Sequence, residues 1–273
     1  MDGAAMTQAL AELPIHTWSG AGLVARRDAL AVEEPLEIRV RNRPLAVTMR
    51  TPGHDEELAA GFLLTEGLIR SREDVLDILP CGKNEHGNAV NVRTGPLVNI
   101  DFEKLARHVY MTSSCGVCGK ASIETVRTQC GPLGPGPAVR GEVLCELPER
   151  MRLEQSTFAE TGGLHAAAVF RASGELLVLR EDVGRHNAVD KVVGRMFLDG
   201  LTPLSDHILL VSGRASFEIM QKAAMAGIGI VAAVSAPSSL AVQFAAETGQ
   251  TLIGFLRPPR FNVYSHPQRV VAR

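Results

Sequence analysis

The chain has 273 residues, 45% of them hydrophobic and 21% charged, with a formal net charge of −2 at neutral pH. This is a globular composition, long enough for one large core or two small ones. The charge balance, with a pI near 6.5, excludes a duplex nucleic-acid binder held by bulk charge. The longest apolar stretch, Ala223 to Ala236, is too short and too glycine-broken to span a bilayer.

Residues 1–20 read as a weakly ordered N-terminus. Asp2 and Glu12 stand where a secretory signal would need a basic start and an apolar run. Without that signal, an odd set of five cysteines points to the reducing cytoplasm. Leu36, Ile38 and Val40 alternate with charged residues, and after Asn42-Arg43-Pro44 the alternation resumes at Leu45, Val47 and Met49. This predicts a β-hairpin with one wet face. Asp55 to Glu66 carries Leu58, Phe62 and Leu63 at helical spacing, with Gly67 as the C-cap. A strand is expected around Ala89 to Val92 and a short helix near Asp101 to Val109. Residues 21–108 thus read as a small α+β domain, and 109–273 as a larger second domain that carries the CxxC loop.

The second unit opens on Met-Thr-Ser-Ser-Cys-Gly-Val-Cys-Gly-Lys, residues 111–120, followed by a helix over Ala121 to Gln129. GPLGPGP at 131–137 reads as a mobile loop, because its glycines favour turns and its prolines lack a donor. His165 to Arg171, Ala172-Ser173-Gly174 and Glu175 to Arg180 predict strand, turn, strand, and Asn187 to Leu198 predicts a helix. From His207 onward the order is strand (HILLVS), helix (ASFEIMQKAAMAG), strand (IGIVAAVS), helix (SSLAVQFAAETG, capped by Ser238 and Gly249) and strand (TLIGFLR). Strands with no polar face, alternating with helices, predict a parallel sheet covered on both faces.

Cys115 and Cys118 form a CxxC among small residues, beside Lys120, which favours a thiolate. Four uses compete. A structural zinc site needs four ligands, and Cys81, Cys130 and Cys145 stand alone with no such spacing; no permanently bound metal is expected. A thioredoxin-type dithiol usually sits on a βαβ pattern near the N-terminus. A zinc deaminase pairs H-x-E with P-C-x-x-C. His54-Asp55-Glu56 matches the first half, but Ser114 replaces the proline of the second. The fourth use, a nucleophilic thiol that carries sulfane sulfur, suits an exposed thiolate on a permissive loop.

Other segments suggest an anion pocket at strand ends, where α/β sheets build their sites. Glu181 to Asn187 closes a strand and opens a helix, placing Arg185 and His186 at the join; a capped helix start is the plainer reading. Ser212-Gly213-Arg214 follows a buried strand and precedes a helix whose free N–H groups attract anions. Arg257-Pro258-Pro259-Arg260 sets two arginines on rigid prolines, and His165 follows a glycine-rich entry, either as a core histidine or as a site residue.

Taken in order, TSSCGVCGK, TGGLHAAAVF, EDVGRHNAVDKVVG, SGRASFEIMQKAA, SAPSSLAVQFAAETGQTLIGFLR and FNVYSHPQR resemble the formate dehydrogenase accessory sulfurtransferase FdhD family, over roughly residues 20–270. The resemblance implies a small N-terminal α+β domain plus a cytidine-deaminase-like, three-layer α/β domain, as a cytoplasmic homodimer. It implies a sulfur carrier that takes sulfane sulfur from a cysteine desulfurase as a persulfide. The acceptor is the molybdenum (or tungsten) of a bis(molybdopterin guanine dinucleotide) cofactor bound for formate dehydrogenase. Cys115 would bear the persulfide, with Cys118 as partner. Phe255-Leu256-Arg257-Pro258-Pro259-Arg260 corresponds to the family's cofactor-binding stretch, matching in Phe255, Arg257 and Arg260 and departing at the two prolines. Ser212, Gly213, Arg214, Arg185 and His186 are further candidates for the pocket. The alternative is a non-catalytic chaperone that binds the cofactor and delivers it intact.

Overall fold

The computed structural model describes residues 9–81, 88–102 and 132–272. It begins with an antiparallel ribbon, β1 (Leu10–Trp18) and β2 (Leu23–Ala31). This corrects the expectation of a weakly ordered stretch as far as residues 10–18 are concerned. The strand escapes pattern reading because Leu13 and Ile15 fall on one face and Leu10 and Trp18 on the other, so no alternation marks it.

The next hairpin is the predicted one, β3 (Glu34–Val40) and β4 (Arg43–Arg50). Its two turn residues, Arg41 and Asn42, both have positive φ (50° and 64°), as a two-residue hairpin turn matching strand twist requires. With β5 (Val75–Pro80) and β6 (Ala89–Thr94) these strands form a four-stranded sheet, order β4-β3-β6-β5. Helix α1 (Asp55–Thr65) lies against it through Leu58 and Leu63 and ends at Gly67, φ 74°.

Past the undescribed residues come a two-residue strand β7 (Val139–Arg140), helix α2 (Gly141–Glu154) and the short α3 (Ser156–Thr161). Residues 132–138 have no regular structure, yet they are tied down, which corrects the mobile-loop reading for this part of 131–137. The Arg269 guanidinium donates to the carbonyls of Gly134 and Pro135, and Leu133 N donates to Thr248 O at 2.9 Å. A chain of glycines and prolines leaves carbonyls unpaired, and a guanidinium with five donors collects them.

A six-stranded sheet follows, order β13-β12-β11-β10-β8-β9. It comprises β8 (His165–Arg171), β9 (Leu176–Asp182), β10 (His207–Val211), β11 (Ile230–Ala233), β12 (Thr251–Arg257) and β13 (Arg260–Ser265). The middle strands β10, β11 and β12 are parallel, while β8, β9 and β13 run antiparallel to their neighbours. Residues alternate between faces. Ala167, Val169, Leu209, Val211 and Val231 meet α4 (Arg185–Leu198), α5 (Phe217–Met225) and α6 (Ser239–Thr248). Ala166, Ala168, Phe170, Ile208 and Leu210 meet Val143, Leu144, Leu147 and Met151 of α2. This is the expected three-layer α/β arrangement. A two-residue β14 (Val270–Val271) pairs with β7 near the C-terminus.

One hydrophobic core runs from Leu36 to Leu252, through both sheets. Its seam is the crossing of α1 and α4. A Cβ on Gly61 would lie 1.8 Å from the Asp190 carbonyl oxygen, and one on Gly194 1.8 Å from that of Glu57. Each helix is notched by a glycine to admit the other's backbone. Charges around the seam are paired. Lys191 Nζ meets Asp182 at 2.7 Å, Lys222 Nζ meets Asp190 at 2.9 Å, and Arg180 Nε meets Glu57 at 2.6 Å. Burial alone would raise the Glu57 carboxyl. Hydrogen bonds from His54 and Arg180 outweigh it and hold the group at about 2.

Candidate functional site: a groove at the strand ends

Strands β10 and β11 stop at the same end of the sheet where the antiparallel β8 begins. A groove of about 640 Å³ opens there, between Met151 of α2, Phe158 of α3, Gly163, His165, Ser212, Val234 and Pro258. Two of the sequence-predicted residues, Ser212 and Pro258, therefore share one cavity, and His165 lines it.

Ser212 serves structure first. Its N donates to Ala166 O, and its Oγ accepts from Ala166 N, both at 2.9 Å, so it extends the β8–β10 pairing by one residue. A Cβ on Gly213 would lie 3.4 Å from His165 Nδ1; the missing side chain keeps the backbone close to the imidazole. Arg214 is exposed. Glu218, in the first turn of α5 just beyond, was not picked out by sequence reading.

Gly184 opens α4. A Cβ there would come within 2.9 Å of Asn187 Nδ2, and Gly184 N donates to Asp182 Oδ1 at 2.8 Å. Asp182 also accepts from Thr51 N at 3.2 Å and Asn187 Nδ2 at 3.0 Å. Asp182, Asn187 and Lys191 are thus absorbed into the scaffold, although the N-cap is Gly184 and neither Asp182 nor Asn187 caps the helix as the capped-helix reading supposed. Arg185 and His186 are not. Among the described residues Arg185 Nε and His186 Nε2 are buried without a hydrogen-bond partner. The latter lies 4.0 Å from Glu218 Oε2, beyond bonding reach.

Burial, reinforced by the charges of Arg185 and Lys222, pushes the His186 pKa down to about 4. Burial, and then Arg185, also lowers His165. Both shifts favour the neutral imidazole, and the Arg185 guanidinium is a positive charge that both rings sense. A fixed cation with an unused donor has the chemistry to receive an anionic group.

The stretch 255–260 forms the β12–β13 hairpin: Arg257 pairs with Arg260, and the two prolines make the turn. The last strand of the sheet is therefore β13, not TLIGFLR. Arg257 Nε donates to Val234 O at 3.3 Å, tying this turn to the groove. Phe255, at φ 50°, is exposed, whereas Leu256 is fully buried and packs in the core. Arg260 is exposed on the far side of the turn. Cys115 and Cys118 lie outside the described residues, as do the helices expected over 121–129 and most of 101–109. No cluster of three or more His, Cys, Asp or Glu with metal-binding geometry occurs among the described residues. Nor, among them, is any helix long and apolar enough to cross a membrane.

The model of the FdhD/NarQ family matches residues 31–271 of the chain. Sulfur carrier protein FdhD from Streptomyces coelicolor is 56% identical over 257 residues, 91% of each chain. The protein of that name from Mycobacterium tuberculosis is 48% identical over 275 residues, covering 97% of this chain and all of its own. A crystal structure from Desulfotalea psychrophila, named for formate dehydrogenase accessory function, superposes with a TM-score of 0.77 over 97% of this chain. At 24% identity it speaks for the fold alone.

Proposed function

The chain belongs to the FdhD/NarQ family, and from that premise we propose that it is a sulfur carrier in formate dehydrogenase maturation, acting as a sulfurtransferase. The observation that carries the reading is its likeness, along nearly the whole chain, to proteins named sulfur carriers, joined to a CxxC pair in its own sequence. The Cys115 thiolate attacks the outer sulfur of a cysteine desulfurase persulfide. An S–S bond forms on Cys115, another breaks, and the desulfurase leaves as a thiolate. For delivery, the Cys118 thiolate attacks the inner sulfur of the Cys115 persulfide. The two cysteines become a disulfide, and the outer sulfur departs as sulfide, reduced by two electrons. An external thiol then reduces the disulfide.

The acceptor is the molybdenum of a bis(molybdopterin guanine dinucleotide) cofactor destined for formate dehydrogenase, bound as substrate. A chain of net charge −2 must hold its phosphates locally. Arg185 offers its unpartnered Nε, Arg214 is exposed two residues after Ser212 and Arg257 and Arg260 are exposed on either side of the Pro258-Pro259 turn, and the start of α5 offers free N–H groups. Phe255 offers an exposed ring for the guanine base. The protein works in the cytoplasm as a homodimer.

The test is formate dehydrogenase activity in cells whose own copy is replaced by variants. Cys115→Ala abolishes activity while the purified protein keeps its fold. Retained activity in Cys115→Ala with loss in Arg257→Ala is the outcome a cofactor-delivering chaperone requires, and it would overturn the carrier.

A further inference from the structure

The β1–β2 ribbon stands out from the core. Its tip residues Trp18 and Leu23 are each 68% exposed and Val24 57%. Its base is held: a Cβ on Gly163, beside α3, would touch the Ala31 side chain at 3.7 Å. A two-stranded ribbon needs a third strand or a covering element to be stable in water. Its two edges differ. Val32 N donates to Ala9 O, and Ser19 N to Gly22 O, which fixes the hydrogen-bonding parity along the register Leu10↔Ala31 to Trp18↔Leu23. The even-numbered residues of β1 and the odd-numbered residues of β2 turn their backbone groups outward. On β1 that outer row contains Pro14, which has no N–H, and Glu12, whose carbonyl accepts from Arg27 Nη2 at 3.0 Å. On β2 it contains Leu23, Ala25, Arg27, Ala29 and Ala31, and among the described residues no strand other than β1 pairs with β2.

We propose that the open edge of β2 pairs antiparallel with β2 of a second copy, about a two-fold axis at Arg27, to give a four-stranded sheet. The inference deepens the homodimer reading above by naming its surface, yet stands on the ribbon alone. The sequence is self-complementary in this register. Arg26, which stands 3.4 Å from Asp28 of its own strand, also faces Asp28 of the partner subunit, Asp28 faces the partner's Arg26, so the two pairs close into one four-charge cluster, and Val24 faces the partner's Leu30. The two Arg27 residues meet at the axis, but each guanidinium is drawn back across its own ribbon to Glu12, with Nε 3.2 Å from Oε2. Ala25 and Ala29 oppose one another with no bulk to part the strands. The partner's Leu23 lands opposite Ala31, on the face that rests against Gly163, and Gly163 is a wall of the strand-end groove. The second copy therefore covers the groove's margin.

Sedimentation equilibrium of the full chain tests this with Arg26→Asp and Asp28→Arg, both at exposed or half-buried ribbon positions. Wild type is expected as a dimer, and each variant alone as a monomer at the same concentration. An equimolar mixture of the two variants is expected as a dimer, because only the mixed pair restores both Arg–Asp contacts. Single variants that remain dimeric overturn the β2 interface while leaving a homodimer in place. A mixture that stays monomeric overturns the register, and a monomeric wild type overturns both the interface and the homodimer.

Discussion

The seam between α1 and α4 and the N-terminal turn of α4 treat polar groups in opposite ways. At the seam, backbones approach so closely that glycines replace side chains, and the buried Asp182, Asp190, Lys191 and Lys222 are all paired. Near His165, which lines the groove, Arg185 and His186 keep buried nitrogens without partners. A buried donor left unmade costs about 1–3 kcal/mol. The scaffold carries that cost at the start of α4 and avoids it at the seam. The contrast makes the start of α4, beside His165 of the groove, a candidate for hydrogen bonding to a ligand.

Four outcomes would sharpen or break this contrast. Gly61→Ala drives a methyl onto the Asp190 carbonyl and should destabilise by upward of about 5 kcal/mol, in the range reserved for severe core faults. Chemical denaturation reads it, and a change under about 1 kcal/mol would mean that the helices are not so closely held. Next, Lys222→Met strands the buried Asp190 carboxylate and should cost about 3–5 kcal/mol, with much of the loss recovered in the Lys222→Met/Asp190→Leu pair. Stability should also fall by on the order of 2–3 kcal/mol as pH drops from 6.5 to 4. In that window the unfolded chain protonates its histidine while His186, at about 4, stays neutral. His186→Gln should flatten this slope in a pH series of denaturation curves. A further loss follows between pH 4.5 and 2 as Glu57 protonates and releases Arg180. The smallest stability effect belongs to Arg185→Ala, within about 1 kcal/mol of wild type. The same change should weaken guanosine diphosphate binding about 10- to 100-fold, the worth of one charge-assisted hydrogen bond. A large stability loss without a binding defect would make Arg185 part of the scaffold.

The run from β10 to β12 was legible because buried parallel strands read as unbroken apolar segments between amphipathic helices. Helix α2 was not. Gly141 and Pro148 look like breaks, and they conceal Val143, Leu144, Leu147 and Met151, whose helical spacing was the available signal. Missing α2 and α3 also hid one wall of the groove, Met151 and Phe158. Ser212, Gly213, Arg185 and His186 could be proposed from strand-end position. Sequence could not sort Arg185 from Asp182: Asp182 is held by its neighbours Gly184, Asn187 and Lys191 and by Thr51, 131 positions away, and a motif does not show which of its polar residues turn toward such partners. Leu256 shares a motif with Arg257, but strand alternation turns it into the core.

The most direct test of the carrier reading is the intact mass of the protein after incubation with a cysteine desulfurase and cysteine, run beside Cys115→Ala and Cys118→Ala. The account predicts a thiol-reducible gain of about one sulfur on wild type and on Cys118→Ala, and none on Cys115→Ala. No gain on wild type under conditions where the desulfurase itself is loaded would contradict it.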